Sequence, residues 1–268
     1  MQASFDKLFD VSGKTALVTG GSRGIGEMIA AGFLANGVKV YISSRKADAC
    51  DATAARLAQT YGGECVSLPA DLAQMAGIES LAARLAERET KLDILVNNAG
   101  ASWGAPLDSF PESGWDKVMD TNVKGVFFLT QKVLPLLRKA SETSPARVIN
   151  IGSIDGLKTA AFETFSYGAS KAALHHLTRF MAAHLTKERI LFNAIAPGPF
   201  PTWMLSTGVG FRGETENVDW ARVGRGNPSG RVGSPEDIAG LAIFLSSRAG
   251  EYVVGQTIAC DGGAVAAS

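Results

Sequence analysis

Short apolar runs recur along the chain, each followed by a longer stretch with helical periodicity. Ala16, Leu17 and Val18 form one such run between Lys14 and the glycines at 20 and 21. Similar runs predict strands near residues 14–19, 38–44, 64–69, 93–98, 147–153, 190–196 and 256–260. They lack the polar alternation of a half-exposed strand, which fits strands covered on both faces. Helices are expected to fill most of the intervals, with long ones near 115–139 and 165–187. Regular alternation of strand and helix predicts a single α/β domain over residues 1–268, a doubly wound parallel sheet of about seven strands with helices on both faces. Ligands of such sheets sit beyond the strand C-termini, where the strand order reverses. Gly20, Asn98, Ser153 and Pro197 all fall at predicted strand ends, so one cleft is expected to collect them. The single irregular stretch, Pro199 to Gly233, is rich in glycine and proline and carries Trp203, Met204, Leu205, Phe211 and Trp220. A long, poorly periodic loop after a cofactor strand reads as a substrate lid over about 199–233, or as a solvent loop with a few packed aromatics.

The first strand leads into T-G-G-S-R-G-I-G at 19–26, and a helix follows from Glu27. Strand, glycine turn, helix is the context that turns a glycine pattern into a dinucleotide site. Gly20, Gly24 and Gly26 let the backbone turn tightly, while Ser22, Arg23 and Ile25 line the turn. The helix N-terminus presents unpaired N–H groups to a pyrophosphate. At the end of the second strand an NAD site places a carboxylate for the ribose hydroxyls. Ser44 stands there instead, followed by Arg45 and Lys46. With Arg23 they form a cationic set suited to a 2′-phosphate, so NADP(H) is the expected cofactor. The alternative is that these cations merely coat a helix start.

Tyr167 and Lys171 are four residues apart in Y-G-A-S-K, and Ser153 closes an apolar run upstream. A phenol titrates near ~10 when unperturbed, so proton exchange at neutral pH calls for a nearby cation. Residues four apart share a helix face, and Lys171 supplies that charge. A hydroxyl at Ser153 would hold a carbonyl oxygen beside the phenol. Such a trio suits protonation of a ketone or deprotonation of an alcohol, which is half of a hydride transfer. By itself Y-x-x-x-K also occurs on ordinary amphipathic helices.

Length and charge narrow the classes further. At 268 residues with 26 basic and 26 acidic side chains, the formal net charge is zero. Basic residues are dispersed, giving no footprint for nucleic acid or a membrane surface. No apolar run approaches the roughly 20 residues that span a bilayer, and the first ten residues lack a signal-peptide core. A cytoplasmic location is expected. Cys50, Cys65 and Cys260 have no metal spacing, and His175, His176 and His184 have no acidic companions, so no metal site is expected.

Taken together, these motifs resemble the short-chain dehydrogenase/reductase family. The matches are T-G-G-S-R-G-I-G at 19–26, Asp71-Leu72, N-N-A-G at 97–100, Asn122, Ser153, Y-G-A-S-K at 167–171 and P-G at 197–198 with Thr202. They fall in order and cover nearly the whole chain. The resemblance implies a Rossmann-type fold with Tyr167 as acid/base, Ser153 orienting the substrate oxygen, and Lys171 binding the nicotinamide ribose and lowering the Tyr167 pKa. It implies that Asn122 holds a water linking Lys171 to solvent. Asp71 would meet the adenine beside Leu72, and Asn98, Ala99 and Gly100 would line the cofactor. Pro197, Gly198 and Thr202 would meet its carboxamide or pyrophosphate. Phe200 departs from the family pattern, which often has Val or Ile there. Further stretches, among them N-N-A-G-A-S-W-G-A at 97–105 and A-P-G-P-F-P at 196–201, resemble the NADPH-dependent 3-oxoacyl reductases linked to rhamnolipid synthesis.

The residues around this core suggest an apolar substrate pocket, with walls from Trp103, Ile154, Asp155, Phe162, Phe165, Trp203 and Met204. Asp155 would bond either a substrate hydroxyl or loop amides. The leading expectation is reduction of a hydrophobic ketone, a 3-oxoacyl thioester first. The same chemistry on a steroid, sugar or aromatic diketone is the alternative, and a non-catalytic NADP(H) sensor is a distant third. Small residues on the long helices, such as Ala169, Ala172 and Ala173, together with the habit of the family, point to a homotetramer.

Overall fold

The computed structural model describes residues 5–160, 162–208 and 218–268. Its strands are β1 (Thr15–Thr19), β2 (Lys39–Ser43), β3 (Cys65–Ser67), β4 (Ile94–Asn97), β5 (Ala146–Ile151), β6 (Ile190–Pro197) and β7 (Thr257–Cys260). All are parallel and lie side by side in the order β3-β2-β1-β4-β5-β6-β7. Each expected strand is present, with its ends moved by up to two residues. The order reverses between β1 and β4, which places the switch point at the C-terminal ends of those two strands.

The helices are α1 (Gly24–Ala35), α2 (Ala47–Tyr61), α3 (Met75–Ala86), α4 (Glu112–Met119), α5 (Gly125–Ser141), α6 (Phe165–Leu185), α7 (Trp203–Gly208), α8 (Trp220–Arg225) and α9 (Pro235–Ser246). Alternate strand residues feed two cores. Ala16, Val18, Val40, Ile42, Ile94 and Val96 pack with Ile29 and Phe33 of α1, Leu57 of α2 and Ile238 of α9. Leu17, Tyr41, Leu95, Val148 and Phe192 point the other way, onto Ile78 of α3, Leu129 and Leu137 of α5 and Met181 of α6. Strands buried on both faces explain why their sequences read as continuous apolar runs.

Two polar residues interrupt those runs. Asn97 on β4 donates from Nδ2 to Asn150 Oδ1 at 2.9 Å and to Thr130 Oγ1 of α5 at 3.2 Å. Asn150 on β5 donates onward to Thr178 Oγ1 of α6 at 2.9 Å. This buried ladder runs across the sheet and fixes the two helices to adjacent strands.

Two expectations change. The helix anticipated over 115–139 is divided: α4 passes through one π turn, Asp120–Lys124, into α5. The widened turn carries Asn122, whose side chain is fully buried and bonded to a loop and to α6. Single π turns recur where a side chain must be redirected toward a site. The stretch 199–233 is not loop throughout, since α7 and α8 lie within it. Phe211 lies outside the described residues.

Candidate active site

At the β1 C-terminus Gly20 has φ +64°, and a Cβ there would lie 2.7 Å from Asn98 Nδ2. Gly26 is tighter still, since its Cβ would overlap the same amide and the Gly20 carbonyl. Asn98 explains the crowding: its Nδ2 donates to the Thr19 and Gly20 carbonyls, at 2.9 and 3.2 Å. The Thr19 hydroxyl in turn accepts from the Asn98 and Ala99 amides at 2.9 Å. The glycine turn is thereby tied to the N-N-A-G turn after β4, and Thr53 Oγ1 of α2 anchors the Ser22 carbonyl from the other side. This rigid turn opens the N-terminus of α1 to a cleft of about 690 Å³, a size that suits a cofactor and part of a substrate.

The cleft collects Gly20, Ser22, Arg23, Gly24, Ile25, Ser44, Arg45, Lys46, Asp71, Leu72, Asn98, Ala99 and Gly100 from its nucleotide end. Pro197, Gly198, Phe200 and Thr202 enter from the end of β6. Gly26 lies beneath the cradle rather than on its surface. No ion pair among the described residues engages Arg23, Arg45 or Lys46. Backbone pulled clear of Cβ atoms, a helix N-terminus and three unneutralised cations fit a pyrophosphate plus one further phosphate.

Ser153, Tyr167 and Lys171 meet at the other end of the cleft. Ser153 Oγ accepts from the Asp155 amide at 3.1 Å and borders the same cleft as the Tyr167 phenol. Burial pushes that phenol up to about 12, opposed by the Ser153 hydroxyl and assisted by the Asp155 charge. Burial pulls the Lys171 ammonium down to about 8, against the Asp155 carboxylate. The Lys171 ammonium donates to the Ile151 carbonyl at 2.7 Å and lies 5.5 Å from the centre of the Tyr167 ring. The lowered phenol pKa expected from the Lys171 charge is therefore not what the structure gives, because desolvation outweighs a cation already bonded elsewhere. Tyr167 is held as a neutral proton donor.

Asn122 sits one layer behind. Its two amide N–H donors go to the Ala101 carbonyl and Ser170 Oγ, each at 2.9 Å, while its Oδ1 accepts from the Ala101 amide at 2.8 Å. Ser170 bonds the Tyr167 carbonyl at 2.8 Å, so Asn122 joins the N-N-A-G loop to the helix of the Tyr–Lys pair. Gly100 lies between the two groups: a Cβ there would stand 3.4 Å from Asn122 Oδ1 and 3.8 Å from Lys171 Nζ.

Of the expected substrate walls, Asp155, Phe162, Trp203 and Met204 border the cleft together with Ile154 and Leu205. Trp103 does not. Its ring covers Gly114 of α4, where a Cβ would lie 2.7 Å from it, and Lys117 Nζ stands 5.2 Å from its centre. Phe165 is also turned away, edge-on to Phe110 at 6.0 Å. Both aromatics found partners on the α4 side, which spacing from a catalytic motif does not reveal. Burial raises the Asp155 pKa, with Lys158 and Lys171 opposing, and among the described residues no loop amide donates to its carboxylate.

The sequence reading missed several lining residues. Lys158 reaches across the cleft to the Ala264 carbonyl at 2.9 Å, and Asn227 closes another side. These contacts join segments about a hundred residues apart, and no local pattern marks them. His175, one turn after Lys171, packs against Gly152 on the Ser153 loop, and burial with the Lys171 charge pulls it down to about 4. Among the described residues no three His, Cys, Asp or Glu side chains gather to hold a metal ion, and no helix is long and apolar enough to cross a membrane.

The family model described as enoyl-(acyl carrier protein) reductase matches residues 20–265. The rhamnolipids biosynthesis 3-oxoacyl-(acyl-carrier-protein) reductase of Pseudomonas aeruginosa is 50% identical over 256 residues, covering 95% of this chain and 97% of that protein. Gluconate 5-dehydrogenase of Gluconobacter oxydans is 38% identical over 267 residues, covering 97% of this chain and 98% of that protein. Among solved structures, the Pseudomonas aeruginosa RhlG/NADP active-site complex has a TM-score of 0.89 at 48% identity, covering 97% of this chain and 100% of that one. With its motifs assembled in one cleft and these likenesses running almost end to end, the chain belongs to the short-chain dehydrogenase/reductase family.

Proposed function

We propose that the protein is an NADPH-dependent carbonyl reductase whose substrate is a 3-oxoacyl thioester. The observation that carries the chemistry is the convergence of Ser153, Tyr167 and Lys171 in the cleft that also holds the cationic nucleotide end. Likeness to a 3-oxoacyl reductase and to an NADP complex supports the substrate class and cofactor.

NADPH, when bound, supplies the hydride that adds to the carbonyl carbon. Ser153 donates its hydroxyl hydrogen to the carbonyl oxygen and holds it against the phenol. Tyr167 gives its proton to that oxygen as the C–O double bond becomes single, so the ketone leaves as an alcohol. Lys171 stabilises the resulting phenolate by its charge. Together with Asn122 and water it returns a proton to Tyr167. Arg23, Arg45, Lys46 and Ser44 would bind the 2′-phosphate, Asp71 and Leu72 would border the adenine, and Thr202 would contact the carboxamide or the pyrophosphate. Residues 199–233 act as the substrate lid. Asp155 is free to bond a substrate hydroxyl. The assembly is a homotetramer, and its location is the cytoplasm, a reading that the free thiols of Cys50, Cys65 and Cys260 support.

A panel of ketones, assayed by loss of NADPH absorbance, tests this reading. It should contain 3-oxoacyl thioesters of several lengths, keto-sugar acids, steroids and aryl diketones. Thioesters are expected to turn over fastest. Tyr167→Phe is expected to lose turnover by at least about a hundredfold while NADPH still binds. Near-normal activity in that variant would remove Tyr167 from the mechanism. Preference for keto-sugar acids would support a second reading, favoured by the 38% identity to gluconate 5-dehydrogenase and by the polar pair Asp155 and Lys158 in the cleft.

A further inference from the structure

The Arg23 guanidinium stands in an arrangement that the cofactor reading does not require. Its carbon lies 4.2 Å from the centre of the Trp203 ring, stacked on the first residue of α7. Arg23 is exposed and immediately precedes Gly24, the first residue of α1. No hydrogen bond or ion pair among the described residues occupies its side-chain N–H groups. Trp203 remains 54% exposed, so the pair lies at the mouth of the cleft that both residues border. Contact between the two segments extends beyond this stack, since a Cβ on Gly24 would lie 3.3 Å from Thr202 Cγ2.

A guanidinium offers two distinct surfaces. Its flat face stacks on an aromatic ring, while its edge carries N–H donors in a fork that matches a phosphate. Stacking therefore leaves the anion-binding edge open. It also removes part of the rotamer freedom that a long, exposed side chain would otherwise lose on binding. A cation over an indole is attracted by the negative face of the ring, and more strongly once it is desolvated.

We infer that Trp203 is a cofactor-specificity residue: its indole is the platform that orders Arg23 for the 2′-phosphate, so it favours NADP(H) over NAD(H) without touching the phosphate. This rests on the assignment of Arg23 to the 2′-phosphate. It gives Trp203 a role at the nucleotide end of the cleft in addition to the substrate wall expected of it.

The test uses nucleotide fragments that lack the nicotinamide, so that contacts of Trp203 with the reacting end play no part. Binding of 2′,5′-ADP and 5′-AMP is measured by calorimetry on wild type, Trp203→Ala, Trp203→Phe, Arg23→Ala and the double variant. Trp203→Ala is expected to weaken 2′,5′-ADP by roughly three- to tenfold and to leave 5′-AMP within about twofold. Trp203→Phe should keep most of the affinity, because a ring is retained. In the Arg23→Ala background, removal of Trp203 should cost nothing more, since the group it orders is gone. Equal loss for both fragments, or no loss for 2′,5′-ADP, would overturn the inference while leaving the NADP(H) reading in place. A wild type that binds 2′,5′-ADP no better than 5′-AMP would overturn both. A melting temperature on each variant separates these outcomes from failure to fold.

Discussion

Tyr167 and Lys171 are displaced in opposite directions by the same cause. Burial disfavours charge on either, which raises the phenol to about 12 and lowers the ammonium to about 8. The two shifts set a pH dependence. In the proposed mechanism reduction needs the phenol protonated, a condition met throughout the neutral range. It also needs a cation beside the phenolate that forms, and Lys171 is charged only below its own pKa. As pH rises through about 8 the ammonium loses its proton and Tyr167 becomes a poorer donor. The reduction rate at saturating NADPH and substrate is therefore expected to be level from pH 6 to 7.5 and to fall above about 8. A rate that climbs through that range would show that Lys171 does not supply the charge. The spacing of the pair was plain in the sequence, yet the sign of the phenol shift was not. Helical spacing brings the charges near each other, but desolvation depends on what the rest of the chain packs over them.

Elements carry the residues to their places, and here the apolar runs were a reliable guide. About seven strands were expected and seven form among the described residues, because a run of Val, Ile, Leu and Ala between two helix layers has few alternatives. The π turn at Asp120–Lys124 had no such signature, since it arises where Asn122 reaches the Ala101 backbone and Ser170 across the fold. Asn97 and Asn150 had none either, and within apolar strands they look like interruptions. Their ladder suggests a measurable cost. Asn150→Ala leaves the Asn97 amide and the Thr178 hydroxyl short of a partner in a fully buried site. It is expected to lower stability by about 2–3 kcal/mol, read from urea unfolding with an unchanged slope. A loss under about 0.5 kcal/mol would mean that the ladder adds little to what packing already supplies.

At the scale of the molecule, parallel strand order brings four loops from distant parts of the chain to a single edge. β1 and β4 part at the switch point, and the glycine turn and the N-N-A-G turn lock together there through Thr19 and Asn98. The exposed faces of α5 and α6 carry Phe127 and Phe180, which are 38% and 58% exposed. Apolar rings on long helices suit a symmetric assembly. Light scattering after size exclusion is expected to give a mass about four times the 28.0 kDa of one chain. A particle of monomer mass would contradict the tetramer, and Phe180→Glu should then leave the mass unchanged rather than reduce it.

The sequence by itself determined the fold class, the order of the strands along the chain, the glycine turn, the cationic nucleotide end and the Ser–Tyr–Lys set. Each of these is written in local spacing: a run length, a glycine interval, a helical step of four. Tertiary structure alone decided that Trp103 covers α4 instead of the cleft, that Trp203 stacks on Arg23, and that Lys158 meets the C-terminal segment. It also decided that burial raises the Tyr167 pKa. The physical reason is common to all of these. Side-chain partners and local dielectric are set by segments far apart in sequence, and only the packed fold brings those segments together.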